Sequence, residues 1–164
     1  MARIDFVTGN AQRYLPDVEA IAVVPERVEG ALAAHSYAEL RRAPGEGEWS
    51  AEQVLRHLVA YAQRDRGHFF RMAWQNDPVF PAFDEDEHIR AHGLDTMGSA
   101  ALIEALTEAI AGSVEVLIDL PDASWGRPGW RPGDGRHSIR QRARASGAHY
   151  HEHIEQLWET VGGL

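Results

Sequence analysis

The part of the sequence that decides the fold is Trp49-Ser-Ala-Glu-Gln-Val-Leu-Arg-His57-Leu58. Ser50, followed three residues later by Gln53, matches a capping box, in which the two side chains satisfy free N–H groups at the start of a helix. Apolar residues then return at helical spacing until Pro78, which cannot continue a helix. We therefore predict a long helix from about Ser50 to Gln75.

Three further helices follow from similar signals. A second capping box, Ser138 with Gln141, opens a helix that runs to about Val161. A nearly strict apolar stripe predicts a helix from about Ser99 to Leu120. A segment from about Val24 to Arg42 carries a proline in its first turn, as helices often do. The sequence thus predicts an all-α four-helix bundle, formed as a single domain over residues 1–164.

Two connections differ from the short turns of an up-and-down bundle. Residues 77–97 contain an acidic run and show little periodicity. A link of this length permits a crossover, so we expect the helices on either side of it to run parallel. The stretch from Trp125 to Gly135 is rich in Gly and Pro, which predicts an irregular loop.

Composition and charge exclude several classes of protein. The net charge of −9 argues against a nucleic-acid partner. We find neither a signal peptide nor an apolar run long enough for a membrane span, so we expect a cytoplasmic protein. The absence of cysteine excludes thiolate ligands and a cysteine nucleophile. The one basic cluster, from Arg136 to Arg144, is interpreted as a solvated helix face, with an anion site as the alternative.

Histidine spacing in the last helix indicates a metal site. His149 and His153 are four residues apart and share a helix face, whereas His151 points to the opposite side, near solvent. His57 occupies the matching flank of the second helix's apolar stripe, so packing of the two helices would bring His57, His149 and His153 together. Three neutral imidazoles suit Zn²⁺ or Ni²⁺ and leave a coordination position open.

The spacing alone leaves an ordinary alternative open. The chain has nine histidines, so a pair four residues apart can arise by chance. His57 would then be a partly buried histidine bonded to a neighbour. His68 cannot share an ion with His57, because eleven residues of helix separate them by about 16 Å. It could line a cleft or simply pack.

Several motifs together resemble the DinB-like superfamily. The stretch 49–58 is similar to its W-S-x-x-E/Q-V/I-L-x-H-L signature, and Trp125-Gly-Arg127 resembles its W-x-R loop. The stretch 149–157 resembles H-x-x-x-H-l-x-Q-I/L, which supplies two metal ligands in that family. The resemblance implies a four-helix bundle with a long crossover connection, often a homodimer, and a divalent-metal site formed by His57, His149 and His153.

The resemblance also implies a function. The superfamily includes S-transferases and isomerases that use low-molecular-weight thiols, so we expect a metal-dependent enzyme that transfers such a thiol to a small electrophilic substrate. Two alternatives stay open. One is a metal-dependent hydrolase, with Glu52 or Glu152 considered as the base. The other is a non-catalytic stress protein that binds a metal or small ligand and in which the ion joins two helices.

Overall fold

The computed structural model describes residues 12–163. Within them the chain is mostly helical, with one small antiparallel hairpin. The helices are α1 (Leu15–Ala22), α2 (Val24–Leu32), α3 (Tyr37–Leu40), α4 (Ala51–Trp74), α5 (Glu85–Ala91), α6 (Ser99–Ile118) and α7 (Ile139–Gly162), and the strands are β1 (Pro128–Arg131) and β2 (Gly135–Ser138). No helix in this described part is long and apolar enough to cross a membrane. The predicted all-α class is confirmed.

Four long helical segments form the bundle: α1 with α2, then α4, α6 and α7. Ser99, which begins α6, donates a hydrogen bond of 3.0 Å to Glu52 near the start of α4. Farther along both helices, Arg66 pairs with Glu108 at 3.3 Å. The start of α4 thus contacts the start of α6, and later residues of α4 contact later residues of α6. The two helices therefore run parallel. The crossover expected from the long connection is confirmed.

The core lies between these helices. The apolar stripes of α4, α6 and α7 are buried, and Leu58, Leu106 and Leu157 are among the fully enclosed side chains. Burying one such side chain contributes roughly 1.5–3 kcal/mol. Trp125 closes one end of the core, where its ring stacks on Tyr14 at 4.5 Å. Packing therefore holds α4 and α7 in fixed positions.

The prediction of one helix from Val24 to Arg42 is wrong. The helical region starts earlier, with α1, and α2 ends at Leu32. Ser36 then caps the separate short helix α3 through its own capping box with Glu39. An N-cap residue is held in an extended conformation, so the chain cannot remain helical through Ser36.

The two connections are also more ordered than predicted. Asp84 accepts a hydrogen bond from the Glu87 N–H and caps α5 inside the long link. In the Gly/Pro-rich stretch, β1 and β2 pair with Trp130 opposite Arg136. Gly129 is required in β1, because a Cβ there would lie 2.9 Å from the Phe80 ring. The irregular loop predicted for Trp125 to Gly135 is therefore wrong over β1.

Candidate metal centre

Two capped helices position the histidines. Ser50 and Ser138 accept hydrogen bonds from the backbone N–H of Gln53 and Gln141, so both predicted capping boxes are confirmed. The helices α4 and α7 begin at these residues and pack against each other. Because their starting points are fixed, the positions that share a face farther along each helix are fixed too.

The structure brings His57, His149 and His153 together. Each ring offers one nitrogen, and these three atoms all lie within 4.8 Å of one another. The Nε2 atoms of His57 and His149 are 3.2 Å apart. The ring centroids of His57 and His153 are 4.2 Å apart. The cluster therefore has the size and the donor atoms to hold one divalent ion.

Two hydrogen bonds orient the rings. The Nδ1 atom of His57 lies 2.7 Å from a carboxylate oxygen of Glu85, and Nδ1 of His153 lies 2.7 Å from the amide oxygen of Gln156. When Nδ1 donates to such an oxygen, the Nε2 lone pair of the same ring is left for a metal. A role for Glu85 or Gln156 was not predicted from the sequence.

Burial keeps two of the imidazoles neutral. The pKa values of His57 and His149 are lowered to about 4, first by desolvation and then by the neighbouring His153. A protonated imidazole has no lone pair for a metal, so the neutral form is the ligating one. At neutral pH both rings are therefore in the form that binds cations.

Comparison with known proteins identifies the family. The sequence model of the DinB superfamily matches residues 20–157. The chain belongs to the DinB superfamily. A similar solved structure is YfiT from Bacillus subtilis, described as a probable metal-dependent hydrolase with an unusual four-helix bundle topology. The two share 18% identity at a TM-score of 0.80, over 92% of this chain and 87% of that chain. No curated protein matches the sequence.

Two clefts meet at the histidines of this DinB superfamily member. The arginine cleft, of about 550 Å³, lies between α4, the hairpin and α7, and its lining includes Arg64, His68, Arg131, Arg142, Arg144 and His149. The tryptophan cleft, of about 590 Å³, lies beside the start of α4 and the end of α7, and its lining includes Glu48, Trp49, His153, Gln156 and Glu159. The centre can thus be reached from two directions.

Aromatic rings surround the cluster. The Tyr61 ring lies 4.4 Å from the His57 ring and 4.6 Å from the His149 ring. Trp49 packs against His57 at 5.4 Å. Such rings exclude water and restrict the motion of the imidazoles. Tyr61 and Trp49 therefore pack against their neighbours, as aromatic side chains beside a core usually do, and they also form part of the wall of the site.

A buried carboxylate joins α4 to α7 next to the cluster. Asp65 accepts hydrogen bonds of 2.7 Å from the hydroxyls of Ser146 and Tyr150. Arg64 donates to the other carboxylate oxygen at 2.7 Å. Burial alone would raise the pKa of Asp65, but Arg64 and the two hydroxyls outweigh it and lower the pKa. Asp65 is therefore a charged link between the helices, with both oxygens occupied.

The remaining histidines considered from the sequence lie outside the cluster. His151 lies away from the cluster, where it is partly exposed beside the guanidinium of Arg27. His68 is buried, with its ring 3.9 Å from Phe80, and lines the arginine cleft. Neither belongs to the three-histidine group.

Neither Glu52 nor Glu152, the two acids considered as the base of a hydrolase, is positioned to act at the histidine cluster. Glu52 is buried and bonded to Ser99, Arg41 and Arg56. Its contacts therefore tie the start of α4 to its neighbours. Glu152 is exposed on α7 and is absent from the lining of both clefts. Glu85 is the acid that reaches the histidines.

Proposed function

We propose that this protein is a divalent-metal-dependent enzyme that transfers a low-molecular-weight thiol to a small electrophilic substrate. His57, His149 and His153 would bind the ion, either Zn²⁺ or Ni²⁺. The observation that carries the proposal is the position of the three imidazoles, because His149 lines one cleft and His153 lines the other. A reaction between two small molecules needs access of this kind.

The donor set fits such an ion. Imidazole nitrogens are ligands for both Zn²⁺ and Ni²⁺, and three protein ligands are typical of catalytic zinc sites that keep a position for water or substrate. Glu85 and Gln156 provide the outer hydrogen bonds that ligating histidines usually make. These partners support a site that is organised before the ion binds.

The metal ion, the small-molecule thiol and the protein side chains would each have a separate role in the reaction. A divalent ion lowers the pKa of a thiol bound to it and so makes the sulfur nucleophilic near neutral pH. The protein contains no cysteine, so the reacting thiol has to come from a small molecule. Glu85 holds the His57 ring in place, while Tyr61 and Trp49 keep the cluster enclosed.

A thiol-transfer assay tests the proposal. The Zn- or Ni-loaded protein is incubated with glutathione, bacillithiol or mycothiol and the electrophile monochlorobimane. We expect metal-dependent product with at least one thiol and loss of that activity in His57→Ala. His151→Ala, a histidine outside the cluster, is the matched control and should remain active. Inactivity with all three thiols would contradict thiol transfer.

Hydrolysis is the second candidate, and Glu85 is the observation that favours it. The Glu85 side chain retains 27% of its exposure, and burial raises its pKa. A carboxylate beside an ion can accept a proton from water. Glu85→Gln keeps the hydrogen-bond acceptor for His57 but removes the base. It should abolish hydrolysis of a test ester while leaving thiol transfer largely intact, so this variant separates the two reactions.

A further inference from the structure

The arginine cleft holds more positive charge than its own carboxylates neutralise. Arg64 is paired with Asp65, and Arg131 with Asp134. Arg144 is bonded to Asp17 at 3.1 Å. Each of these three guanidinium groups therefore has a carboxylate partner within the described residues. The fourth, Arg142, has none there.

Arg142 is the least expected of the four. It belongs to the basic cluster interpreted from the sequence as a solvated helix face, yet it is only 6% exposed, so that interpretation is wrong for this residue. Its Nη2 donates a long bond of 3.3 Å to the carbonyl of Gly129. Its buried Nε has no hydrogen-bond partner anywhere in residues 12–163.

The nearby acid cannot satisfy this group. Both oxygens of Asp65 already accept hydrogen bonds, from Arg64 and from the hydroxyls of α7. Burial and the charge of Arg64 lower the pKa of Arg142. A buried cation without a carboxylate partner is costly, and an unsatisfied buried N–H group calls for an explanation, of which a bound ion is one.

A second unpartnered nitrogen belongs to His68, which lines the same cleft. Nδ1 of His68 is buried and has no hydrogen-bond partner in the described part of the chain. Desolvation lowers the pKa of His68 to about 3, so the ring is neutral at pH 7. A neutral imidazole can carry its proton on Nδ1 and donate it to an oxygen. Two side chains that line this cleft thus each contain a buried nitrogen without a hydrogen-bond partner in the described residues.

We propose that the arginine cleft binds the anionic group of the substrate, a carboxylate or a phosphate, at Arg142 and His68. A guanidinium is suited to oxygen anions, since its N–H groups match their geometry. The anion site does not depend on the metal, whereas its role in orienting a substrate rests on the function proposed above. The substrate class is therefore a small organic acid or a phosphate monoester.

The cleft also limits the size of that substrate. Arg142 and His149 are seven residues apart on α7, which corresponds to about 10 Å along the helix. His149 belongs to the three-histidine cluster, so the anionic group and the reacting atom must fit between these two points. A volume of about 550 Å³ accommodates a small molecule and not a polymer.

Calorimetric titration of the full chain tests the proposal. The probes are succinate, inorganic phosphate and uncharged succinamide, each added to Zn-loaded and to metal-free protein at fixed ionic strength. We expect succinate or phosphate to bind both forms, with the tighter of the two identifying the anion class, and succinamide to bind at least tenfold more weakly. Failure of both anions to bind, or binding only in the presence of Zn²⁺, would overturn the inference.

Variants assign the binding to these side chains. Arg142→Met should weaken anion binding at least tenfold, while Arg136→Met, the same change on the exposed part of the hairpin, should leave it unchanged. His68→Phe keeps a ring against Phe80 but removes the donor, so it should also weaken binding. Wild-type affinity in both cleft variants would refute the proposal.

Two further readouts separate misfolding and metal loss from loss of the anion site. Arg142→Met should melt at the wild-type temperature or higher, because it removes an unpaired buried charge. It should also retain its Zn²⁺ stoichiometry. If the wild type binds anions but no metal, the function proposed above fails and the anion site stands. If it binds metal but no anion, the reverse holds.

Discussion

Glu85 contacts the candidate centre through one short hydrogen bond to His57. Removal of an outer hydrogen bond to a ligating histidine typically costs 10- to 100-fold in metal affinity. We therefore expect Glu85→Ala to weaken Zn²⁺ binding by about that factor, measured by competition with a chromophoric chelator. Glu87→Ala, an exposed acid on the same short helix, is the control. Equal affinities in the two variants would show that Glu85 does not support the site.

The sequence could predict the three histidines but not this partner. A helix turns by a fixed angle per residue, so the faces of His149, His153 and His57 follow from where α7 and α4 begin. Glu85 is 28 residues away from His57 in the chain. Its position depends on the path of the connecting loop and on where the short helix α5 packs. Neither can be read from the local periodicity of the sequence.

His68 makes the stability of the protein depend on pH. Its pKa is about 3 in the fold and 6.5 as an ordinary side chain. The unfolded chain therefore binds a proton that the folded chain rejects, and stability falls as the pH drops below 6.5. The contribution lost by pH 5 is up to about 2 kcal/mol. Chemical denaturation at pH 7 and pH 5 should show a smaller difference for His68→Phe than for the wild type.

Charged neighbours also affect the pKa of His68, and the measurement needs a control at a histidine elsewhere in the chain. Asp65 favours its protonation, while Arg64, Arg142 and Arg131 oppose it. His92→Phe changes an exposed histidine within the long link and should keep the wild-type pH dependence. An identical pH dependence in His68→Phe and the wild type would contradict the account of this residue.

Among the elements, α4 and α7 were predicted because each begins at a capping box and continues with an apolar stripe. Ser36 and Glu39 carry the same signal, but they lie inside the segment from Val24 to Arg42, which was predicted as one helix from the proline in its first turn. The hairpin was not predicted, because β1 is stabilised by backbone hydrogen bonds to residues far away in the sequence. Trp130 exchanges backbone hydrogen bonds with Pro78 and Phe80, far away in the chain.

Arg127, which immediately precedes β1, connects the hairpin to the end of α4. Its guanidinium donates bonds of 2.8 Å to the carbonyls of Met72 and Gln75 at the end of α4. The last carbonyls of a helix otherwise lack partners. We expect Arg127→Met to lower the free energy of unfolding by about 1–3 kcal/mol, measured by urea denaturation. Arg136→Met, which removes an exposed arginine from the hairpin, should change it by less than about 0.5 kcal/mol.

For the whole molecule, we expect the fold to persist without the ion. The buried bonds from Ser146 and Tyr150 to Asp65 hold α4 against α7 beside the histidines. We therefore expect chelation to lower the melting temperature by a few degrees, as loss of a ligand does, while helicity and a cooperative transition remain. Unfolding on chelation, seen by circular dichroism, would instead favour the non-catalytic role in which the ion joins two helices.

The homodimer implied by the family resemblance stays a prediction. Phe70 and Trp74 are 57% and 75% exposed. Both line a groove between α4 and α6. Exposed aromatic side chains of this size are common at protein interfaces, so we expect the interface on this face.

The metal content of the purified protein tests the central claim most directly. After dialysis against Zn²⁺ or Ni²⁺ and removal of free metal, elemental analysis should find about one ion per chain in the wild type and in His151→Ala. His57→Ala, His149→Ala and His153→Ala should each lose most of it. A wild type without stoichiometric metal, or His151→Ala losing as much as the other three, would contradict the three-histidine centre.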